Sequence, residues 1–168
     1  MAERTAASFR WLVLLAGLAC TLPLFDIEPP PYIAAPATID ADHARRMQQL
    51  CDRVFDAIDT PDIDFAWDDA TLRPAAQPAL DRLVNFARNC RRGRILIVGH
   101  TDSMGAESYN LWLSRSRAQA IANYLVARGV AADRLLVEGR GSAEPLTTND
   151  TRAGRARNRR IEFRWQPL

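Results

Sequence analysis

Residues 95–99, "ILIVG", are an unbroken run of β-branched and aliphatic residues closed by glycine. A run with no polar alternation predicts a central strand buried on both faces, which requires a neighbouring strand at each edge and a layer of side chains above and below. The flanking segments can supply these. In "ADHARRMQQLCDRVFDAI" the residues Met47, Leu50, Cys51, Val54, Phe55 and Ile58 recur at three and four, predicting one apolar helix face. "DIDFA", residues 62–66, alternates as a short strand. A second helix runs to about Asn89 with Leu80, Leu83, Val84 and Ala87 inward and "RRGR" as its basic stop. A third helix is predicted over roughly 107–128, ended by Gly129, followed by a strand at "LLVEG". The last segment, "RRIEFRW", puts Ile161, Phe163 and Trp165 on one face and Arg160, Glu162 and Arg164 on the other. Helices alternating with strands before a closing strand predict an α/β domain in which helices pack on one mixed sheet.

The first 25 residues do not belong to that pattern. Arg4 and Arg10 precede an apolar run from Trp11 to Phe25. This is the upper limit of a signal-peptide core and short of the ~20 residues of a spanning helix, so an export signal and a short membrane anchor are both open. Either keeps its positive end inside and exports the rest, which in a Gram-negative bacterium means the periplasm. Cys20 closes "LAGLAC", which resembles a lipoprotein box, so lipidation at Cys20 and an uncleaved anchor are alternatives, with an outer-membrane or an inner-membrane tether respectively. Residues 26–41 are proline-rich and suited to spanning distance, leaving 42–168 as the folded domain. Cys51 and Cys90 lie inside that domain, the count expected of one disulfide plus one acylation site.

Several chemistries are excluded at this level. Three cysteines without a CxxC, and His43 and His100 far apart, supply no zinc site of familiar spacing, and no other metal or cofactor is called for. The 22 basic residues, all arginine, nearly balance 20 acidic ones, so composition requires no polyanionic partner. The arginines of "TRAGRARNRRIEFR" read as the outer face of the last strand and its approach, not as a nucleic-acid patch. "GRGS" lacks the lysine and spacing of a phosphate loop. His100, Asp102, Ser103 and Ser114 include no nucleophile elbow, so no catalytic site is predicted.

What remains is a binding site. Asp102 follows the buried strand at its carboxyl end, where ligands meet open α/β sheets. In the next helix Leu111, Ser114, Ala118, Ile121, Ala122 and Leu125 form the expected inward stripe, and Asn110 and Arg117, seven apart, share its flank. Asp102, Asn110 and Arg117 are therefore expected to converge.

These residues carry a resemblance. From about residue 51 to the end, "GHTDSMG", "YNLWLSRSRAQAIANYL", "GV", "RLLVEGRGSAEP" and "NDTRAGRARNRRIEF" occur in the order and spacing of the OmpA-like peptidoglycan-binding domain of outer-membrane proteins, Pal-type lipoproteins and flagellar stator proteins. The resemblance implies a βαβαββ mixed sheet and non-catalytic binding of the peptidoglycan stem peptide. It assigns the grip on meso-diaminopimelate to Asp102 and Arg117, with Thr101, Asn110, Leu113 and Arg160 around them. The free end of diaminopimelate carries an ammonium and a carboxylate on one carbon, which an acceptor-only acid and a guanidinium fork side by side can hold. Trp67-Asp68-Asp69 departs from the family's usual small or basic residues after the first strand. The apolar N-terminal segment holds no acid to carry protons, which argues against a stator role. The alternative is an adaptor of the same fold that docks a partner protein of an envelope or secretion complex.

Overall fold

The computed structural model describes residues 40–58, 63, 65 and 69–168. The expected membrane segment at 1–25, Cys20, and the linker as far as residue 39 lie outside the described residues. The elements run α1 (Ala41–Asp56), α2 (Gln77–Asn89), β1 (Gly93–Gly99), α3 (Glu107–Ala127), β2 (Leu135–Gly139), α4 (Arg152–Asn158) and β3 (Ile161–Pro167). Single 3₁₀ turns precede α2 and β2.

The sheet is mixed, in the order β2-β1-β3. β1 pairs in parallel with β2, Ile97 opposite Val137, and antiparallel with β3, Ile97 opposite Phe163. Its apolar run is central, as its composition requires. Ile95 and Ile97 face α2 and α3 in a core with Leu80, Leu83, Ile121 and Leu125, all essentially removed from water. Each such side chain contributes about 1.5–3 kcal/mol on burial. Leu96 and Val98 are buried on the opposite face. Their cross-strand neighbours there are Leu136, Glu138, Glu162 and Arg164. Arg164 pairs with Glu162 at 2.9 Å and Arg140 with Glu138 at 2.6 Å, so paired charges neighbour Leu96 and Val98 across the strands.

α1 is attached along a narrow edge. Cys51 is disulfide-bonded to Cys90, just past the end of α2, with Cα atoms 5.8 Å apart. Phe55 packs on Phe86 at 5.2 Å, and Phe86 meets Trp165 of β3 edge-on at 4.9 Å. The predicted inward face of this helix is only partly inward. Met47, Leu50 and Val54 are exposed, because contact through Cys51 and Phe55 reaches one side of the apolar stripe and leaves the other to solvent. Arg134 fastens the same C-terminal end of α2 to the sheet. It donates to the carbonyls of Ala87, Cys90 and Gly93, joining the helix end to the start of β1.

α3 lies unusually close to the sheet. Gly99 of β1 and Gly139 of β2 are paired across the parallel ladder. A Cβ at Gly99 would fall 2.1 Å from the Ser114 carbonyl oxygen, and one at Gly139 would fall 2.6 Å from the Arg115 nitrogen. Two glycines side by side thus let the helix backbone rest on the strand ends. Gly141, at φ +52°, turns the chain beneath Leu111 and donates its N–H to Ser114 Oγ at 3.0 Å. The expected stripe holds for Ser114, Ala118, Ile121, Ala122 and Leu125, but Leu111 is exposed. It sits near the start of the helix, where the Gly141 turn approaches its backbone and its side chain is left to solvent. Leu113 is buried in its place. Of the strand expected at 62–66, Ile63 and Phe65 are described and buried, and Phe65 forms an isolated antiparallel bridge with Leu72.

Candidate functional site

Beyond Gly99 the chain continues between its two neighbours. His100 N–H donates to the Arg160 carbonyl at 2.9 Å and Thr101 N–H to the Gly141 carbonyl at 2.8 Å, carrying the strand's direction to Asp102. There the chain turns. Asp102 Oδ1 accepts the Met104 N–H at 3.0 Å, closing the turn on its own side chain. Asn110 of α3 donates through Nδ2 to the carbonyls of Asp102 (3.3 Å) and Met104 (3.0 Å), stitching that turn to the helix. The close approach of α3 at Gly99 and Gly139 makes this reach possible.

Arg117 comes from the same flank of α3, two turns on. Its Nε donates to the Asp69 carbonyl at 2.9 Å, and its guanidinium lies 5.2 Å from the centre of the Phe65 ring. Asp69 belongs to the loop in which the sequence departs from the family pattern; Trp67 and Asp68 lie outside the described residues. The Asp69 carboxyl is held below its ordinary range by the Thr71 hydroxyl and then the Ala70 N–H, while its carbonyl serves Arg117.

Asp102, Arg117, Asn110, Thr101, Leu113 and Arg160 all line one cleft of about 1050 Å³. The structure therefore places the six residues expected to bind ligand in the lining of one cleft, while Cys51 and Cys90 lie elsewhere in the fold and Cys20 lies outside the described residues. The settings of the six differ. Arg160 is turned along the sheet to Glu162 and to the carbonyls of Glu144 and Asn158. The arginine that touches Asp102 is Arg159, whose Nη1 is 2.7 Å from Oδ2. Thr101 is buried, and no hydrogen bond reaches its Oγ1 among the described residues. A buried hydroxyl without a partner costs about 1–3 kcal/mol, which a ligand group in the cleft could relieve.

Sequence reasoning missed Arg159 and the amides behind it. Asn158, fully buried, accepts the N–H groups of Leu146 and Thr147 at 2.9 and 3.1 Å and donates to Asn149 Oδ1 at 2.9 Å. Asn149 Oδ1 in turn accepts the Ser103 N–H at 3.2 Å, so the loop before α4 is tied to the turn that bears Asp102. Among the described residues no group of three or more His, Cys, Asp or Glu could hold a metal ion. Among the described residues the cleft is lined by one acid, Asp102, several guanidiniums and an unpartnered hydroxyl, a set of groups suited to a charged ligand.

A family model described as the OmpA family matches residues 64–159, more than half of the chain, including Thr101, Asp102, Asn110, Leu113, Arg117 and Arg159 of the site just described. The chain belongs to the OmpA family. OmpA-family relatives include outer membrane protein A of Bordetella avium, 43% identical over 99 residues, 59% of this chain and 51% of the relative. The peptidoglycan-binding protein ArfA of Mycobacterium tuberculosis is 45% identical over 101 residues, 60% of this chain and 31% of the relative. The chain thus spans about half or less of the length of these relatives. Among solved structures, the peptidoglycan-associated lipoprotein from Burkholderia pseudomallei matches with a TM-score of 0.59 at 28% identity, over 62% of this chain and 88% of that one. The cell wall anchor of the T6SS from Pseudomonas aeruginosa matches with a TM-score of 0.53 at 38% identity, over 62% and 74%. The mixed sheet with helices is the OmpA-like fold, and the domain is of a non-catalytic, binding kind.

Proposed function

We propose that this chain binds peptidoglycan through the diaminopimelate of the stem peptide and tethers a membrane to the cell wall from the periplasmic side. The observation that carries this reading is the placement of Asp102 and Arg117, both mostly buried, in the lining of one cleft at the end of β1. An ionised carboxylate offers about four lone-pair directions, so Asp102 can take an ammonium beside Met104 and Arg159. Arg117, oriented by the Asp69 carbonyl and the Phe65 ring, can meet the carboxylate on the same carbon with a guanidinium fork. Thr101 Oγ1 is a further donor or acceptor, while Asn110 shapes the turn and Leu113 the apolar wall; Arg160 adds positive charge. The names of ArfA and of the peptidoglycan-associated lipoprotein support the ligand class.

Charge-assisted hydrogen bonds contribute about 1.5–3 kcal/mol each, enough for reversible recognition and too little for permanent attachment by one site. Anchoring beside a polymeric wall raises the effective concentration of ligand. On this reading residues 1–25 are the export signal or anchor, 26–41 the spacer and 42–168 the wall-binding domain. Loss of palmitate labelling in a Cys20→Ala variant would make Cys20 the anchor. The central test is sedimentation of the full chain with insoluble diaminopimelate-type peptidoglycan. The chain is expected in the pellet and a folded Asp102→Ala/Arg117→Ala double variant in the supernatant. Equal pelleting of the two would remove the cleft from wall binding.

A further inference from the structure

We propose that the outer face of α3 carries a saccharide subsite, in which Tyr109 and Trp112 form a platform for a pyranose ring of the glycan strand whose stem peptide occupies the cleft. The inference rests on the peptidoglycan reading and extends it to residues that reading leaves unused. Trp112 is 59% and Tyr109 38% exposed, although each is a large aromatic side chain. Their ring centres are 5.5 Å apart with planes tilted by 34°, so the two rings form one aromatic surface. An exposed aromatic pair on a well-packed helix marks an interaction surface.

The surroundings select the occupant. Trp112 borders a shallow depression lined also by Arg115, Ser116, Gln119 and Asn123. Gln119 Nε2 donates to Asn123 Oδ1 at 2.9 Å, which orders the two amides along the helix. A pyranose ring has C–H groups on its faces and hydroxyl and acetamido groups around its edge. An aromatic plane beneath and amides and a hydroxyl at the side match it. A second helix or an apolar peptide would need aliphatic partners, and among the described residues of this lining Ala120 is the one aliphatic side chain.

Position agrees with chemistry. Tyr109 also lines the cleft, so the aromatic surface begins where the peptide site ends. In a stem peptide two residues and a lactyl group separate diaminopimelate from the sugar, and at up to about 3.3–3.6 Å per residue this places the ring roughly 10 Å from the cleft. Trp112 precedes Arg117 by five residues, about 7.5 Å along the helix axis and about 140° around it, with Tyr109 between them at about 80° as the step from cleft to platform.

The test is calorimetric titration of the full chain with the tripeptide L-Ala-γ-D-Glu-meso-diaminopimelate and with the same peptide carrying its N-acetylglucosamine–N-acetylmuramic acid disaccharide. The disaccharide is expected to tighten binding about threefold to tenfold. Trp112→Ala is expected to abolish that gain and leave the bare peptide's affinity unchanged. Equal affinity of the two ligands for the wild-type chain would overturn the proposal, as would a Trp112→Ala variant that weakens both alike. Should neither ligand bind, the cleft reading fails by itself, and titration with a β-1,4 N-acetylglucosamine tetramer decides the saccharide subsite: a perturbed Trp112 indole resonance sustains it and an unmoved one ends it. Sedimentation velocity adds an arm, since a wild-type dimer that Trp112→Ala converts to monomer would assign the platform to a second copy of the chain and overturn the proposal.

Discussion

Arg159 Nη1 lies 2.7 Å from Asp102 Oδ2, so the acid of the cleft already has a cationic partner before any ligand arrives. Asp102 is also closed on Met104 N–H, which leaves the carboxylate oriented by two bonds from different elements. A ligand ammonium would join or replace Arg159, not neutralise an isolated charge.

This arrangement orders the effects of three substitutions on binding of the stem tripeptide. Asp102→Ala and Arg117→Ala each remove a charge-assisted contact to ligand and are expected to weaken binding at least about tenfold. Arg159→Ala removes a group whose place the ligand's ammonium can take, so its loss is expected to be several times smaller. Titration calorimetry of the three full-length variants checks the order. An Arg159→Ala variant as weak as Asp102→Ala would show the ion pair acting as one unit.

Thr101→Val separates binding from stability. Thr101 lines the cleft and its hydroxyl is buried without a partner among the described residues, so an isosteric methyl removes an unsatisfied group from the fold and, on the proposed reading, a hydrogen bond from the complex. Urea denaturation is expected to show unchanged or higher stability, and calorimetry a loss of about threefold to tenfold in affinity. Lower stability with intact affinity would place the hydroxyl in the fold's own network.

Gly99→Ala tests the seat of α3. The added Cβ would lie 2.1 Å from the Ser114 carbonyl oxygen, a backbone atom that can move only if the helix moves. Destabilisation of about 3 kcal/mol or more is expected, with weakened ligand binding in the fraction that stays folded, because Asn110 and Arg117 ride on the same helix. A urea midpoint equal to wild type would refute the close-approach argument.

Reduction of Cys51–Cys90 is expected to cost up to about 4 kcal/mol in the loop-entropy model, for a sequence separation of 39 residues. The loss falls mainly on α1, whose other attachment is Phe55 against Phe86 and Trp165. Hydrogen exchange in the reduced chain should accelerate in Ala41–Asp56 and change little in β1. Equal acceleration in both would mean that α1 and the sheet unfold together.

The sequence was legible where one physical rule dominated. "ILIVG" admitted only a central strand, and the period of Ser114, Ala118, Ile121 and Leu125 fixed the buried side of α3. It misled where packing depends on where an element ends: Leu111 has the right angle on the helix but lies near its start, where its side chain is left to solvent, and Met47, Leu50 and Val54 have the right spacing on a helix that touches the domain by one edge. The convergence of Asp102, Asn110 and Arg117 followed from a strand end and a helix flank. The choice between Arg159 and Arg160 did not, since Arg160 leads into β3 while Arg159 caps α4, and strand alternation says nothing of a residue outside the strand.

His100 gives the domain a pH dependence of its own. Its side chain is fully buried, no hydrogen bond reaches either ring nitrogen among the described residues, and Nε2 lies 3.5 Å from Glu162 Oε1. Burial, and then the charge of Arg160, lower its pKa, against a smaller opposing pull from Glu162. With a folded pKa below the unfolded value of about 6.5, the unfolded chain binds more protons on descending through that pH, so the contribution of neutral His100 is complete above about 6.5 and declines below it. Burial pushes Glu162 upward, but hydrogen bonds from Arg164 and Arg160 outweigh it and hold the carboxyl low; its contribution is present above the unfolded value near 4.3 and is lost as pH falls through the folded one. Both groups therefore destabilise the domain on acidification, His100 first. Urea denaturation between pH 7.5 and 5 is expected to show stability falling from about pH 6.5 in the wild type and a flatter profile in His100→Gln. Parallel profiles for the two chains would mean that His100 keeps its ordinary pKa in the fold.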